Sequence, residues 1–174
     1  MGLSAGDITA ALDALSVELA GSGQRAELVI VGGAAMALLF SARQTTKDVD
    51  VCVLRPEAAA VRSAAAKVAS RLSLPDDWLN DGAKGYLVGV TEGRVLYESS
   101  SLVAKAPSNA QLLAMKLAAW RDAIDRDDAR ILLKSIPGTA EEVWLTVKSR
   151  VPAPLLDKAS YAFQDLWESV HGTP

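Results

Sequence analysis

Two carboxylates, Asp48 and Asp50, stand two residues apart in the stretch Thr45-Thr46-Lys47-Asp48-Val49-Asp50-Val51. On an extended strand, residues two apart point to the same face, so these carboxylates are expected side by side. Such a pair repels itself unless a cation sits between the groups. A hard divalent ion such as Mg²⁺ takes oxygen ligands, commonly one or two carboxylates together with substrate phosphate oxygens. Upstream, Gly32-Gly33 follow the apolar run Leu28-Val29-Ile30-Val31. Glycines there let the backbone come close to a phosphate, and the N–H groups at the start of a helix from Ala34 can donate to it. Taken alone, Gly-Gly is a tight turn and Asp-x-Asp a solvated loop end. Strand, Gly-Gly, helix, polar loop, Asp-x-Asp and strand in that order point to catalysis or nucleotide binding.

A dinucleotide-binding βαβ unit also has a glycine turn followed by an acid. Its fingerprint needs glycine at the third and sixth places from Gly32, where this chain has Ala34 and Ala37. The ribose-binding acid should also follow the apolar part of its strand, whereas Asp48 and Asp50 precede Val51 to Leu54. Both departures argue against that unit.

The elements that must position these groups follow from periodicity. Ile8, Leu12, Leu15 and Leu19 recur at steps of four, three and four, which predicts an amphipathic helix over 7–20 with Asp7 as N-cap and Gly21 to Gly23 as its stop. Strands are expected at 28–31 and 48–54, with helices over 34–41 and 57–72, the latter carrying Pro56 in its first turn. Tyr86 to Val90 and Arg94 to Tyr97 read as strands pairing across Thr91-Glu92-Gly93, with a further strand at Leu102 to Ala104. Trp78, in the turn-rich stretch Pro75 to Gly82, reads as a core anchor, and Asn80 or Asp81 as a turn residue with pocket lining as the alternative. From Pro107-Ser108 onward the character changes to helices over 108–120, 126–134, 139–150 and 154–170. The layout is an α/β half over 1–106 and a helical part over 107–174. With no spacer rich in Pro, Gly or Ser between them, residues 1–174 are expected to form one compact body. Early alternation and a late helix run predict an α+β fold, a small mixed β-sheet with packed helices, rather than a doubly wound parallel sheet.

Composition narrows the chemistry. Half of the 174 residues are hydrophobic and 22% are charged, enough apolar material for a packed core. The net charge of −3 provides no global positive field for nucleic acid, so phosphate recognition must be local. A single cysteine, Cys52, fits a reducing compartment, and no basic leader or membrane-length apolar run is read, so a cytoplasmic protein is expected. The only histidine, His171, is the fourth residue from the end of the sequence, leaving catalysis to carboxylates, lysine, hydroxyls or a carboxylate-held metal. Lys116, beside Leu112, Met115 and Ala119, is either half buried and able to reach a phosphate as a point charge or snorkelled to solvent. Arg126-Asp127-Asp128 reads most simply as a capped helix start, with Asp122 and Asp125 as nearby competitors.

Val31-Gly32-Gly33-Ala34-Ala35 followed by Thr45-Thr46-Lys47-Asp48-Val49-Asp50 resembles the signature of the nucleotidyltransferase (polymerase-β-like) superfamily. The likeness extends over about 25–135, and through Trp78-Leu79-Asn80-Asp81, Leu112 to Lys116 and Arg126-Asp127-Asp128 it is nearest to the AbiE-type nucleotidyltransferases of type IV toxin–antitoxin systems. The resemblance implies a nucleotidyltransferase-like fold, with Gly32, Gly33, Lys47 and Arg126 contributing to nucleotide binding and Asp48 and Asp50 holding Mg²⁺. Asp48, Asp50, Lys116 and Asp127 are then the catalytic set. It implies transfer of a nucleoside monophosphate from an NTP to an acceptor hydroxyl, on a tRNA or other RNA 3′ end or on a protein, and a separately encoded antitoxin. A non-catalytic binding or regulatory module on the same fold is the competing expectation. The third carboxylate that many superfamily members take from a later strand has no counterpart in Leu102 to Ala104. An RNA acceptor would need a basic patch, for which Arg43, Lys47, Lys84, Arg94, Lys105, Lys116, Arg121, Arg126 and Arg130 are the candidates.

Overall fold

The computed structural model describes residues 2–42, 44–91 and 93–172. The chain divides into two compact units, one of residues 1–84 with 92–106 and one of residues 85–91 with 107–174. The architecture is α+β, with a five-stranded mixed sheet in the first unit and helices throughout the second.

The first unit begins with helix α1 (Ala5–Gly21). Its N-cap is Ser4, not Asp7. The Ser4 hydroxyl accepts the Asp7 N–H while the Asp7 carboxylate accepts the Ser4 N–H, a reciprocal capping box that a lone N-cap aspartate does not provide. Strands β1 (Ala26–Ile30) and β2 (Val49–Arg55) flank helix α2 (Gly32–Phe40), and helix α3 (Ala58–Leu72) leads to the two-residue strand β3 (Leu79–Asn80). Pro56 precedes α3 instead of occupying its first turn, because Glu57 is extended as the N-cap and its carbonyl takes the Ala60 N–H. Strands β4 (Val95–Glu98) and β5 (Leu102–Lys105) complete the sheet in the order β3-β2-β1-β5-β4. β1 runs antiparallel to β2 and parallel to β5, so the sheet cannot be the doubly wound parallel type.

Apolar residues set this register. Leu28, Ile30, Val49 and Val51 are buried, as are Ile8, Leu12, Leu15 and Leu19 on α1, the row expected from its periodicity. Trp78 is fully buried and its indole N–H donates to the Ala65 carbonyl at 3.0 Å, so the one polar atom of this anchor is satisfied. Glu27 on β1 accepts from Arg55 on β2 and Lys105 on β5, tying three adjacent strands on one face. Those two hydrogen bonds hold the Glu27 carboxyl below the usual carboxylate range.

The expected hairpin between 86–90 and 94–97 does not form, and Glu92 of its turn lies outside the described residues. β4 pairs instead with β5 across Ser99-Ser100-Ser101, where the Ser99 N–H donates to the Leu102 carbonyl and the Ser99 hydroxyl accepts the Leu102 N–H. Residues 85–91 join the second unit because buried Gln111 takes their polar backbone. Its amide donates to the Val88 and Gly89 carbonyls and its Oε1 accepts the Thr91 N–H at 2.7 Å.

In the second unit, Ser108 caps α4 (Asn109–Ala119), and α5 (Ala123–Lys134) starts three residues earlier than periodicity suggests. Asp122 is the reason: its side chain accepts the Asp125 N–H and caps the helix there. Arg126, Asp127 and Asp128 therefore lie inside α5 and do not cap it. A Thr139/Glu142 capping box opens α6 (Ala140–Lys148), and a single 3-10 turn at Ala153–Leu155 precedes α7 (Leu156–His171).

Candidate active site

Asp48 immediately precedes β2 and Asp50 lies within it; both are half-buried and separated by fully buried Val49. The pleat therefore turns the two carboxylates away from the core. The Asp50 carbonyl accepts the Val31 N–H at 2.9 Å, which fastens this point of β2 to the entry of α2. Gly32 has φ +64, and a Cβ there would lie 2.8 Å from Asp50 Oδ2. Only glycine meets both demands, left-handed backbone and absence of a side chain. A Cβ on Gly82 would lie 2.8 Å from Asn80 Oδ1 and 3.5 Å from Asp50 Oδ1, so glycines line the Asp50 carboxylate on two sides. Gly33 is half-buried in the first turn of α2, whose N-cap Val31 supplies no side-chain acceptor, leaving the turn's amides to other acceptors.

Asn80 is the member of this site that sequence reasoning left as a turn residue with pocket lining as its alternative. It stands in register with Asp50 on the parallel strand β3. Its Oδ1 accepts the Gly82 N–H at 2.7 Å, which directs the amide nitrogen to Asp48 Oδ2 at 3.1 Å and to the Asp77 carbonyl at 3.2 Å. A neutral donor thus orients Asp48 without neutralising it. Lys47 is exposed next to Asp48, while the preceding Thr46 is buried and exchanges backbone hydrogen bonds with Leu3. Among the described residues no group of three His, Cys, Asp or Glu side chains gathers, so a cation at Asp48 and Asp50 would draw its remaining oxygens from substrate and water. That donor set, two carboxylates and little else, suits a hard divalent ion shared with phosphate.

A second cluster lies in the helical unit. Lys116 is only 7% exposed, and its ammonium donates to Asp125 Oδ1 at 2.9 Å and sits 2.7 Å from Asp128 Oδ2. Asp125 Oδ2 accepts from the Arg121 side chain at 3.1 Å and from the Arg121 N–H. Burial pushes the Asp125 carboxyl up, but the hydrogen bonds from Arg121 and Lys116 outweigh it and hold the group below its ordinary range. The same bond pushes Arg121 up. Of the two acids considered in Arg126-Asp127-Asp128, Asp128 faces Lys116, whereas Asp127 is exposed and pairs with Arg130 at 2.8 Å. The Arg126 guanidinium stacks over Trp120, 5.5 Å from the ring centre. Periodicity held the signal for the buried acids. Asp125, Asp128, Ala129, Leu132 and Leu133 form one row at helical spacing, the row that packs inward.

The candidate basic residues are mostly matched to acids: Lys84 to Asp81, Lys105 to Glu27, Arg121 to Asp125 and Arg130 to Asp127. Arg43 lies outside the described residues. No helix among the described residues is long and apolar enough to cross a membrane.

Neither a curated protein nor a solved structure matches the chain. A family model does, over residues 9–132, a span that takes in Gly32, Asp48, Asp50, Asn80, Lys116, Asp125 and Asp128. On that match the chain belongs to the family described as nucleotidyltransferase of unknown function (DUF6036).

Proposed function

We propose that the protein is a Mg²⁺-dependent nucleotidyltransferase that moves a nucleoside monophosphate from an NTP to an acceptor hydroxyl. The observation that carries this reading is the Asp48/Asp50 pair on the rim of β2, fastened to the glycine entry of α2. Asp48 and Asp50 would hold the metal, and Gly32 and Gly33 would bring backbone amides to the triphosphate, with Lys47 as a nearby positive charge. Bound there, the metal supplies charge stabilisation to the attacking and leaving oxygens of an in-line displacement at the α-phosphate. The chain's own part is positional. Asn80 orients Asp48, and Gly32 leaves room for the Asp50 carboxylate. Lys116, with Asp125 and Asp128, then has a supporting role by fixing α4 against α5.

Within the superfamily we place the chain nearest the AbiE-type enzymes, with an RNA 3′ end, such as that of a tRNA, or a protein hydroxyl as acceptor and a separately encoded antitoxin as partner. The sequence motifs around Asp48, Asn80 and Lys116 support that placement. The test is incubation with each α-³²P-labelled NTP, Mg²⁺ and total RNA or cell protein, using wild type, Asp48→Asn and Asp50→Asn. Labelled product from wild type alone is expected. No labelled product, together with no Mg²⁺-dependent NTP binding, would leave a non-catalytic module on this fold.

A further inference from the structure

The helical unit holds a groove of about 470 Å³ between the start of α6 and the later turns of α7. Its volume falls within the roughly 300–1,000 Å³ range of small-ligand pockets. Phe163, Trp167 and His171 recur at steps of four, so α7 turns these rings to one face. The ring centres are 5.8 Å apart for Phe163 and Trp167 and 4.2 Å apart for Trp167 and His171, and Trp144 of α6 stands 5.2 Å from Phe163. Gln164 and Glu168 border the ring row one position further along the helix, with Ala140 on the α6 side. Phe163 is buried, Trp167 half-buried, and Gln164, Glu168 and His171 exposed, which gives an aromatic floor and a polar rim. The rim is acidic. Glu168 forms no ion pair among the described residues. From Ala159 onward the sequence carries Asp165 and Glu168 and neither lysine nor arginine. The acids of α6, Glu141 and Glu142, lie in its first turn, the end that meets the groove, whereas Lys148 is its last residue.

Elimination selects the ligand chemistry. An anion would meet Glu168 and the negative faces of the rings. A hard metal ion needs several oxygen ligands, which one carboxylate and one amide oxygen do not provide. A primary ammonium brings three N–H groups to satisfy, and a wall of rings offers them no full acceptor. A quaternary ammonium carries its charge without any N–H, inside an apolar shell that rings can contact, and aromatic faces attract it through their quadrupole. We propose that this groove binds a quaternary ammonium group, with Phe163 and Trp167 against its methyl shell and Glu168 balancing its charge. The groove lies beyond residues 9–132, the span of the family match, and the proposal does not rest on the transferase reading.

The experiment follows the Trp167 indole N–H in ¹H–¹⁵N correlation spectra of the full chain as ligand is added. The indole of Trp78, buried in the other unit and bonded to the Ala65 carbonyl, serves as the unmoved reference. The probes are choline, ethanolamine as the primary ammonium, and the neutral alcohol in which carbon replaces the choline nitrogen. Choline is expected to bind about tenfold more tightly than either, the difference that roughly 1.4 kcal/mol produces. Glu168→Gln, at an exposed position, should raise the choline Kd by about fivefold, the change that roughly 1 kcal/mol of lost ion pairing produces, and leave the melting temperature in place. Trp167→Leu, read from the Trp144 indole, should raise the Kd by about tenfold, and Trp167→Phe, which keeps a ring, should recover most of that loss. A peptide containing trimethyllysine forms the second arm. Tighter binding of the peptide than of choline assigns the site to a methylated side chain, the reverse order assigns it to a free ligand, and either upholds the quaternary ammonium class. A Trp167 signal that choline does not move overturns the proposal. So does equal binding of the neutral alcohol, which would leave an apolar groove without charge selection, and so does a choline Kd unchanged in Glu168→Gln.

Discussion

Two acidic clusters lie in the two units, and their partners differ in kind. Asp125 and Asp128 are almost fully buried and face Lys116, with Arg121 completing the charge balance. Asp48 and Asp50 are half-buried, and the partner that orients Asp48 is the neutral amide of Asn80. Burial of charge demands close compensation, since breaking a buried pair leaves an ion with neither water nor partner. Asp48 is half-exposed and its orienting partner carries no charge, the arrangement from which the proposed cation binding is argued. The contrast separates an acidic cluster that holds helices together from the one proposed to bind a cation.

The comparison breaks most sharply at Lys116. Lys116→Met retains the bulk of the side chain but removes the cation that both buried carboxylates face. A loss of about 3–5 kcal/mol in urea unfolding is expected. A loss under about 1 kcal/mol would show that the cluster is solvated and that the contrast is false.

Gly32→Ala tests the other side. The new Cβ would meet Asp50 Oδ2 at 2.8 Å, and alanine would have to adopt φ +64. Strain of roughly 1–3 kcal/mol is expected, together with loss of the Mg²⁺–NTP thermal shift as Asp50 is displaced. Retention of both stability and the shift would mean that the glycine does not control that carboxylate.

Acid titration sharpens the comparison. The folded pKa of Asp125 lies below its unfolded value, so its stabilisation is complete above about pH 4, the ordinary aspartate range, and is lost as pH falls through the folded pKa. Unfolding free energy followed down through that window should fall less steeply in Asp125→Asn than in wild type. Equal slopes would place the acid-sensitive group elsewhere.

The smallest expected stability effect belongs to Asp48→Asn and Asp50→Asn. Each removes one member of a like-charged pair, so the melting temperature should stay the same or rise, while the Mg²⁺–NTP shift disappears. An asparagine at 48 can still accept from Asn80. If both variants melt lower yet gain the same stabilisation from Mg²⁺–NTP as wild type, the carboxylates are structural.

Much of the first unit was legible because its signals are local. The strand, glycine turn, helix and Asp-x-Asp order depends on neighbouring residues, and the α1 row shows directly in the spacing of Ile8, Leu12, Leu15 and Leu19. The strand limits moved by one or two residues, with Val31 becoming a cap and Asp48 falling just before β2. The 86–90 strand failed for a nonlocal reason. Its sequence permits an extended chain, but the short serine turn favours β4 with β5, and Gln111 supplies the backbone partners that a hairpin would otherwise have provided.

The sequence by itself determined the element order, the α+β class and the adjacency of Asp48 and Asp50, because helix and strand periods are written in residues close along the chain. Tertiary structure decided that Asn80, 32 positions away, orients Asp48. It also decided that Asp125 and Asp128, instead of Asp127, meet Lys116. Helical periodicity marks which face of α5 turns inward, but only packing brings that face against α4, and a side chain's charge does not name its partner until two surfaces meet.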